Sequence, residues 1–311
     1  MIKTYATSEQ TLDSIEYRAP SSWMEASKVV RGFSTEQTFL QTLANEDLQP
    51  SDRTTVEYAN ALSAYAEDYC DVNNQDGAIE QSQVDQIKLL ANAPRFMHNK
   101  EEVTYYDNER RKRRLTDEEW NHYQSFKPYM VWYNQLLSDY AYTNPQAKLS
   151  DMNRALVEQS IPSFPGQTEV VERGIKDATR GARTEAVSRQ LLDRTPVDYS
   201  PGTIEDDLRG GDLIVMHNGH RIKVDIKSSL SDVAAIRGGY DKIYKEHISY
   251  AISKKKRDHN VKDQHVVVVF PGFTDLDLGD SFNLRLPEED IQNRADFLAH
   301  QLKFAFRELR L

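Results

Sequence analysis

The chain has 311 residues, of which 39% are hydrophobic, a formal net charge of −10 and a single cysteine. This hydrophobic content is enough for a folded core, and the length predicts one large domain or two ordinary ones. One cysteine excludes an internal disulfide and a zinc site built from cysteines, and it favours a reducing, cytoplasmic location. The longest strongly apolar run, 266–270, is too short to span a bilayer, so no membrane segment is expected.

The acidic surplus is unevenly distributed along the chain. Residues 166–311 hold 23 basic and 24 acidic residues, so that 16 basic and 25 acidic residues remain in 1–165. The overall charge argues against a protein that coats nucleic acid. The balanced C-terminal half, with local basic clusters such as 254–257, can nevertheless meet phosphate groups.

The N-terminal half is predicted to be mainly helical. Aromatic and apolar residues recur at helical spacing over 58–69. Thr116 and Glu119 have the spacing of a capping box, which predicts that a second helix, rich in aromatic residues, begins there. Pro128 should interrupt or kink this helix, because proline removes a backbone hydrogen bond and its ring clashes with the preceding turn.

A domain boundary is predicted within 160–166, where two prolines and a glycine end the helical pattern. The expected domains are a mainly helical one over 1–163 and an α/β one over 164–311, with a mixed central sheet flanked by helices. The expected elements of the second domain are a helix over 168–194, a short strand in the loop after it, strands over 212–217 and 220–227, a helix over 232–257, a strand over 264–270, a short strand near 282–286 and an amphipathic helix over 291–309.

Three other patterns point to function less specifically. Residues 71–83 resemble a calcium loop, but two of the required acidic positions are not acidic, so a polar connection between helices is favoured over a calcium-responsive interaction protein. The basic run 110–114 indicates either a phosphate contact with aromatic side chains stacking on bases or a solvated segment before a helix. His217 and His220 face each other across a turn, but two ligands are too few for a zinc site.

Asn218 and Gly219 predict a two-residue type I′ turn between two strands. Such a turn sets the register, so the pairing should continue along the ladder until Asp212 lies opposite Asp225. Because side chains alternate between the two faces of a sheet, one face of this hairpin collects the hydrophobic residues. This apolar face consists of Leu213, Val215, Ile222, Val224 and Ile226.

The opposite face of the hairpin collects Asp212, Asp225 and Lys227. Two carboxylates directly across a ladder have Cβ atoms about 5 Å apart and repel each other. A hard cation between them would explain the pairing, and a site of oxygen ligands suits Mg²⁺ or Mn²⁺. The Lys227 ammonium could then orient a water or stabilise charge developing on a phosphate. The structural alternative is an ion pair of Asp225 with Lys227 or Lys223 on a solvated sheet, which leaves the facing aspartates unexplained.

These segments resemble the PD-(D/E)xK nuclease superfamily, which includes restriction endonucleases, resolvases and recombination exonucleases. The matching segments are 210–215 (GGDLIV) and 224–229 (VDIKSS), and the second contains the only D/E-x-K sequence of the chain. Residues 181–187 (GARTEAV) are similar to the first core helix of the family. The resemblance covers about 168–270. Gly211 replaces the usual proline, and the Gln-x-x-x-Tyr pattern of the recombination exonucleases does not follow.

The resemblance implies a restriction-endonuclease-like core and a metal-dependent nuclease that hydrolyses phosphodiester bonds, in DNA rather than RNA, with Mg²⁺ or Mn²⁺ as cofactor. Asp212 and Asp225 would be metal ligands together with the Ile226 carbonyl. Lys227 would be the catalytic lysine. Glu185 would be an additional ligand of the metal or of a water.

Several expectations keep alternatives open. Glu185 has the spacing of an ordinary helix ion pair with Arg189, and Asp206 and Asp207 could either reach the metal or remain solvated. A non-catalytic module that binds nucleic acid or protein on a nuclease fold is the alternative function. A homodimer is consistent with the many related nucleases that pair to cut two strands, and the N-terminal domain would bind substrate or a protein partner.

Overall fold

The structure is a computed structural model that describes residues 18–208, 211–227, 266–269, 271, 273 and 275–308. It divides into two compact units. Unit 1 comprises Met1–Lys112 and Ala147–Asp177, and unit 2 comprises Arg113–Gln146 and Ala178–Leu311. This division differs from the predicted boundary after residue 163. Residues 113–146 belong to unit 2, and residues 147–177, which lie on both sides of the predicted boundary, belong to unit 1.

The helices of the described residues, in chain order, are α1 (Arg18–Phe33), α2 (Gln37–Asn45), α3 (Val56–Gln75), α4 (Gln81–Lys112), α5 (Asp117–Thr143), α6 (Leu149–Ser160), α7 (Thr168–Leu192), α8 (Ile204–Leu208), α9 (Asp275–Leu278) and α10 (Glu288–Glu308). The strands are β1 (Tyr199–Pro201), β2 (Leu213–His217), β3 (His220–Ile226) and β4 (Val266–Val269). Short 3₁₀ turns lie at Pro50–Asp52 and Ile161–Ser163.

The described part of unit 1 is helical, as predicted, and an aromatic cluster packs in its core. Phe33 of α1 and Phe39 of α2 contact the tyrosines of α3, with ring centroids 5.0 to 5.9 Å apart. The Thr55 hydroxyl caps α3 by accepting the backbone N–H of Tyr58. Since α3 continues to Gln75, the first residues of the 71–83 segment are helical, which agrees with a polar connection rather than a calcium loop.

The α5 helix of unit 2 begins where its capping box predicts. Thr116 and Glu119 exchange both hydrogen bonds of the box, at 3.2 and 2.8 Å. Pro128 was expected to interrupt or kink this helix, and an interruption is wrong, because α5 continues through Pro128 to Thr143. Buried side chains on both sides of the proline, Tyr123 and Tyr133 among them, hold the helix by packing.

The sheet of unit 2 has the strand order β1-β2-β3-β4 within the described residues. Strands β1, β2 and β3 are antiparallel, and β4 pairs with β3 in parallel. The predicted hairpin register is confirmed from the His217–His220 rung to the Leu213–Val224 rung. Asn218 and Gly219 both have positive φ, 48° and 78°, which is the backbone of a type I′ turn.

The apolar face of the hairpin lies in a core with α7, β4 and α10. All five predicted residues of this face are buried, and Val187 and Leu191 of α7 lie in the same cluster. The predicted amphipathic face of α10 contributes Leu298, Leu302 and Phe306. The coarse prediction of an α/β arrangement is therefore confirmed for unit 2.

Two elements predicted for the C-terminal part are not found among the described residues. The short strand predicted near 282–286 is wrong, because Ser281 bonds to the Leu278 and Asn283 carbonyls and the segment bends instead of extending. The helix predicted over 232–257, with its basic cluster, and the terminal Leu309 lie outside the described residues. None of the described helices combines the length and apolarity needed to cross a bilayer.

The single cysteine provides a probe of unit 1. Cys70 is fully buried, and loss of hydration raises the pKa of its thiol to about 12. A thiol with this pKa is almost entirely protonated at pH 8, and the thiolate is the reactive form. We therefore expect no reaction with an aromatic disulfide reagent in native buffer and one equivalent in denaturant. Rapid labelling of the native protein would contradict the buried position of Cys70.

Candidate active site

The charged end of the hairpin begins one residue before β2, at Asp212. Its carboxylate accepts a hydrogen bond from the Ile226 backbone N–H across the hairpin, at 2.5 Å. Gly211 precedes it, and a Cβ at this position would lie 2.8 Å from the Cβ of Lys223. Lack of space beside Lys223 therefore explains why this position holds a glycine.

Asp225 and Lys227 form the second part of this site. Asp225 is 1% exposed, and its Oδ1 lies 2.8 Å from the Lys227 Nζ. The Lys227 side chain is 55% exposed, so the ammonium joins a buried carboxylate to the surface. Loss of hydration lowers the pKa of Lys227, but the negative charges of Asp225 and Asp212 raise it by more. The net pKa is therefore above the usual value. Lys227 is therefore a cation at neutral pH. The ion pair of Asp225 with Lys227 that the structural alternative expects is present, but Asp225 is buried and does not lie on a solvated face.

The carboxyl group of Asp212 lies in a strongly negative environment. Loss of hydration raises its pKa well above the usual range, and the charge of Asp225 raises it further. Lys227 opposes the shift, while Glu185 and Asp207 add to it. Residues from β3, α7 and α8 thus act on one carboxyl group. A cation at this position would relieve the mutual repulsion.

Glu185 lies on α7, and its charge acts on the Asp212 carboxyl group. Loss of hydration raises the pKa of Glu185 to about 7, and the Ser138 hydroxyl and the Arg189 guanidinium oppose this shift. Asp207 and Asp139 add to it. The expected i, i+4 partner, Arg189, forms its ion pair with Asp139 of α5, at 2.6 Å, so Glu185 is not neutralised by a simple helix pair.

Two of the three acidic residues of α8, Asp206 and Asp207, have separate roles. Asp206 accepts two hydrogen bonds from Arg221, at 2.9 and 2.5 Å, and a third from the Thr203 hydroxyl, at 2.8 Å. These contacts hold the pKa of Asp206 below its usual range and make it a structural residue. Asp207, in contrast, raises the pKa of Glu185, Asp212 and Lys227. It is therefore the acid of this pair that belongs to the site.

Sequence analysis did not find the contribution of α5. Ser138 and Asp139 come from a helix more than 40 residues before Glu185, and no local pattern distinguishes them from ordinary helix residues. Ser138 is 0% exposed, which a polar side chain in a helix of this composition does not reveal. Only the packing of α5 near α7 in unit 2 brings them to Glu185.

The basic run 110–114 and the histidine at the turn make contacts unlike those of these carboxylates. Arg110, Lys112 and Arg113 of the basic run form ion pairs with nearby acidic residues, at 2.9, 3.0 and 2.7 Å, which agrees with a solvated segment. His217 stacks on Phe306, with centroids 4.4 Å apart, and so contributes to packing at the turn.

The donor chemistry of the site suits a hard divalent cation. Asp212, Asp225 and Glu185 carry carboxylate oxygens, and the Ile226 carbonyl directly follows Asp225 in the chain. In the part of the chain that the structure describes, no three His, Cys, Asp or Glu side chains have a spacing that would hold a metal ion.

No protein-family model matches the chain, and no curated protein and no solved structure matches it either. The resemblance to the nuclease superfamily consequently stays a prediction from the residues.

The repulsion at Asp212 leads to a prediction about stability without metal. In the folded protein the Asp212 pKa is raised, so its contribution to stability is lost as pH rises from its unfolded pKa through its folded pKa. We expect Asp212→Asn, which keeps an acceptor for the Ile226 N–H, to stabilise the protein in EDTA at pH 8. A gain of about 1 kcal/mol corresponds to ~2–4 °C in Tm.

Thermal unfolding followed by circular dichroism measures this change. Glu205→Gln, on the exposed side of α8, is the matched control and should leave Tm nearly unchanged. A lower Tm for Asp212→Asn than for the control would show that Asp212 stabilises the metal-free fold, contrary to the electrostatic argument.

Proposed function

We propose that unit 2 is a metal-dependent nuclease that hydrolyses phosphodiester bonds, with DNA as the expected substrate and a restriction-endonuclease-like core. The observation that carries the proposal is the convergence of Asp212, buried Asp225 and Lys227 at one end of a hairpin whose other face lies in the core. A helix with Glu185, the hairpin and a parallel strand beside β3 form an arrangement that supports this core.

The metal would be Mg²⁺ or Mn²⁺. Asp212, Asp225, Glu185 and the Ile226 carbonyl are the groups that would hold it, which fits the preference of both ions for oxygen. When bound, the ion would neutralise phosphate charge and increase the acidity of a water.

The residues of the chain supply positioning and charge. Lys227 has a raised pKa and therefore acts as a hydrogen-bond donor and a positive charge rather than as a base. Its exposed ammonium can orient a water or stabilise the charge that develops on a phosphate oxygen. Asp225 keeps that ammonium at the mouth of the site through the 2.8 Å contact.

A second candidate is a non-catalytic module that binds nucleic acid or protein on the same fold. The observation that favours it is that both aspartates already have partners within the chain: Lys227 pairs with Asp225, and the Ile226 N–H donates a hydrogen bond to Asp212. Such a module would use Lys227 to contact phosphate without cleavage. It would bind nucleic acid equally well in EDTA and in Mg²⁺.

The nuclease proposal is tested by a cleavage assay on linear, circular, single-stranded and branched DNA and on RNA, with Mg²⁺, Mn²⁺ or EDTA. We expect wild-type cleavage that requires the metal. Asp225→Ala should abolish it because the ligand is lost, and Lys227→Ala should reduce kcat by at least ~10²-fold because a preorganised charge is lost.

Lys223→Ala is the matched control for Lys227→Ala, because it removes another lysine of the same strand, one that lies 3.4 Å from Asp206. It should retain metal-dependent cleavage. Equal activity of the wild type and Asp225→Ala would identify a contaminating nuclease. Metal-independent binding without cleavage of any substrate would favour the binding module.

A further inference from the structure

Arg189 lies one helical turn after Glu185, so the two side chains share a face of α7. The Arg189 side chain is only 8% exposed, although it is charged. Its Nη1 donates to Asp139 Oδ1 at 2.6 Å, and its guanidinium carbon lies 4.1 Å from the centroid of the Tyr142 ring. An ion pair on one side and a ring on the other therefore fix the position of the guanidinium.

One polar atom near Glu185 has unused hydrogen-bonding capacity. Arg189 Nε is buried and has no hydrogen-bond partner among the residues that the structure describes. A buried donor without a partner destabilises the fold, so proteins retain few of them without a reason. Ser138 acts on the Glu185 carboxyl group through a side-chain hydrogen bond and Arg189 acts on it through its charge, so both residues lie close to that group.

We propose that Arg189, held by Asp139 and Tyr142, is a positioning residue that orients the Glu185 carboxylate as a metal ligand. The inference rests on the proposed function of unit 2. The Arg189 Nε–H and the Ser138 hydroxyl are the donors that take up the Glu185 carboxylate when it turns towards Asp212.

The arrangement of charges around Glu185 gives the reason for such a residue. Asp139 and Asp207 both act on the Glu185 carboxyl group, so this carboxyl group lies among other acids. Arg189 supplies the compensating charge from within the same helix. Asp139 has a side chain that is 58% exposed, so it can hold the guanidinium while its own negative charge is partly solvated.

Residues that orient a metal ligand typically change metal affinity by about 10- to 100-fold when they are mutated. We expect Arg189→Met to weaken Mn²⁺ binding by at least ~10-fold and to lower kcat for DNA, with KM for DNA nearly unchanged. Arg189→Lys should restore part of both, because it keeps the charge but not the planar donor. Asp139→Asn should show a smaller loss in the same direction.

The experiment measures Mn²⁺ binding to the full-length protein by electron paramagnetic resonance, together with kcat, KM and Tm. Arg180→Met is the matched control, because Arg180 lies on the exposed side of the same helix. It should bind Mn²⁺ as the wild type does. If Arg189→Met does not fold, the inference is decided by Arg189→Lys and Asp139→Asn.

Three results would overturn the inference. Wild-type Mn²⁺ affinity in Arg189→Met would show that Glu185 needs no support from it, while the proposed function would stand. Equal losses in Arg189→Met and Arg189→Lys, matched by equal losses in Tm, would show a packing role. Absence of both Mn²⁺ binding and cleavage in the wild type would overturn the proposed function, and the inference with it.

Discussion

The positive φ angles of Asn218 and Gly219 impose the constraint on which the site depends. A two-residue turn of this type allows one register, and a shift by one residue would turn every side chain of β3 to the other face. With the observed register, the hydrophobic residues lie in the core, and Asp225 and Lys227 lie beside Asp212. The same turn therefore determines both the stability of unit 2 and the composition of its site.

This register brings like charges together, and the surroundings only partly compensate for them. Lys227 pairs with Asp225, and a backbone N–H bonds to Asp212, yet Glu185 and Asp207 add further negative charge. A fold selected for stability alone would replace one of these acids, because buried repulsion between carboxylates is costly. The retained repulsion is the physical reason to associate this end of the hairpin with a cation and a phosphate substrate.

Local sequence patterns predicted an element correctly where they contained one strong signal, such as a capping box or a two-residue turn. The Thr116–Glu119 capping box and the type I′ turn were placed correctly because each depends on a few neighbouring residues. Pro128 was expected to interrupt or kink α5, but the helix is not interrupted, because packing of the aromatic residues on both sides of it outweighs the loss of one hydrogen bond. The segment 282–286 was expected to be a strand, but the hydroxyl of Ser281, just before it, bonds locally and the chain bends.

The sequence by itself determined the hairpin register and the grouping of Asp212, Asp225 and Lys227, because turn geometry and strand alternation act over a few residues. It also indicated Glu185 through the family resemblance. Only the tertiary structure decided that Asp206 forms an ion pair with Arg221 while the charge of Asp207 acts on the site. It also decided that Arg189 pairs with Asp139 rather than with Glu185. These choices depend on contacts between α5, α7, α8 and the sheet, where burial and competing partners, rather than local spacing, determine which charges meet.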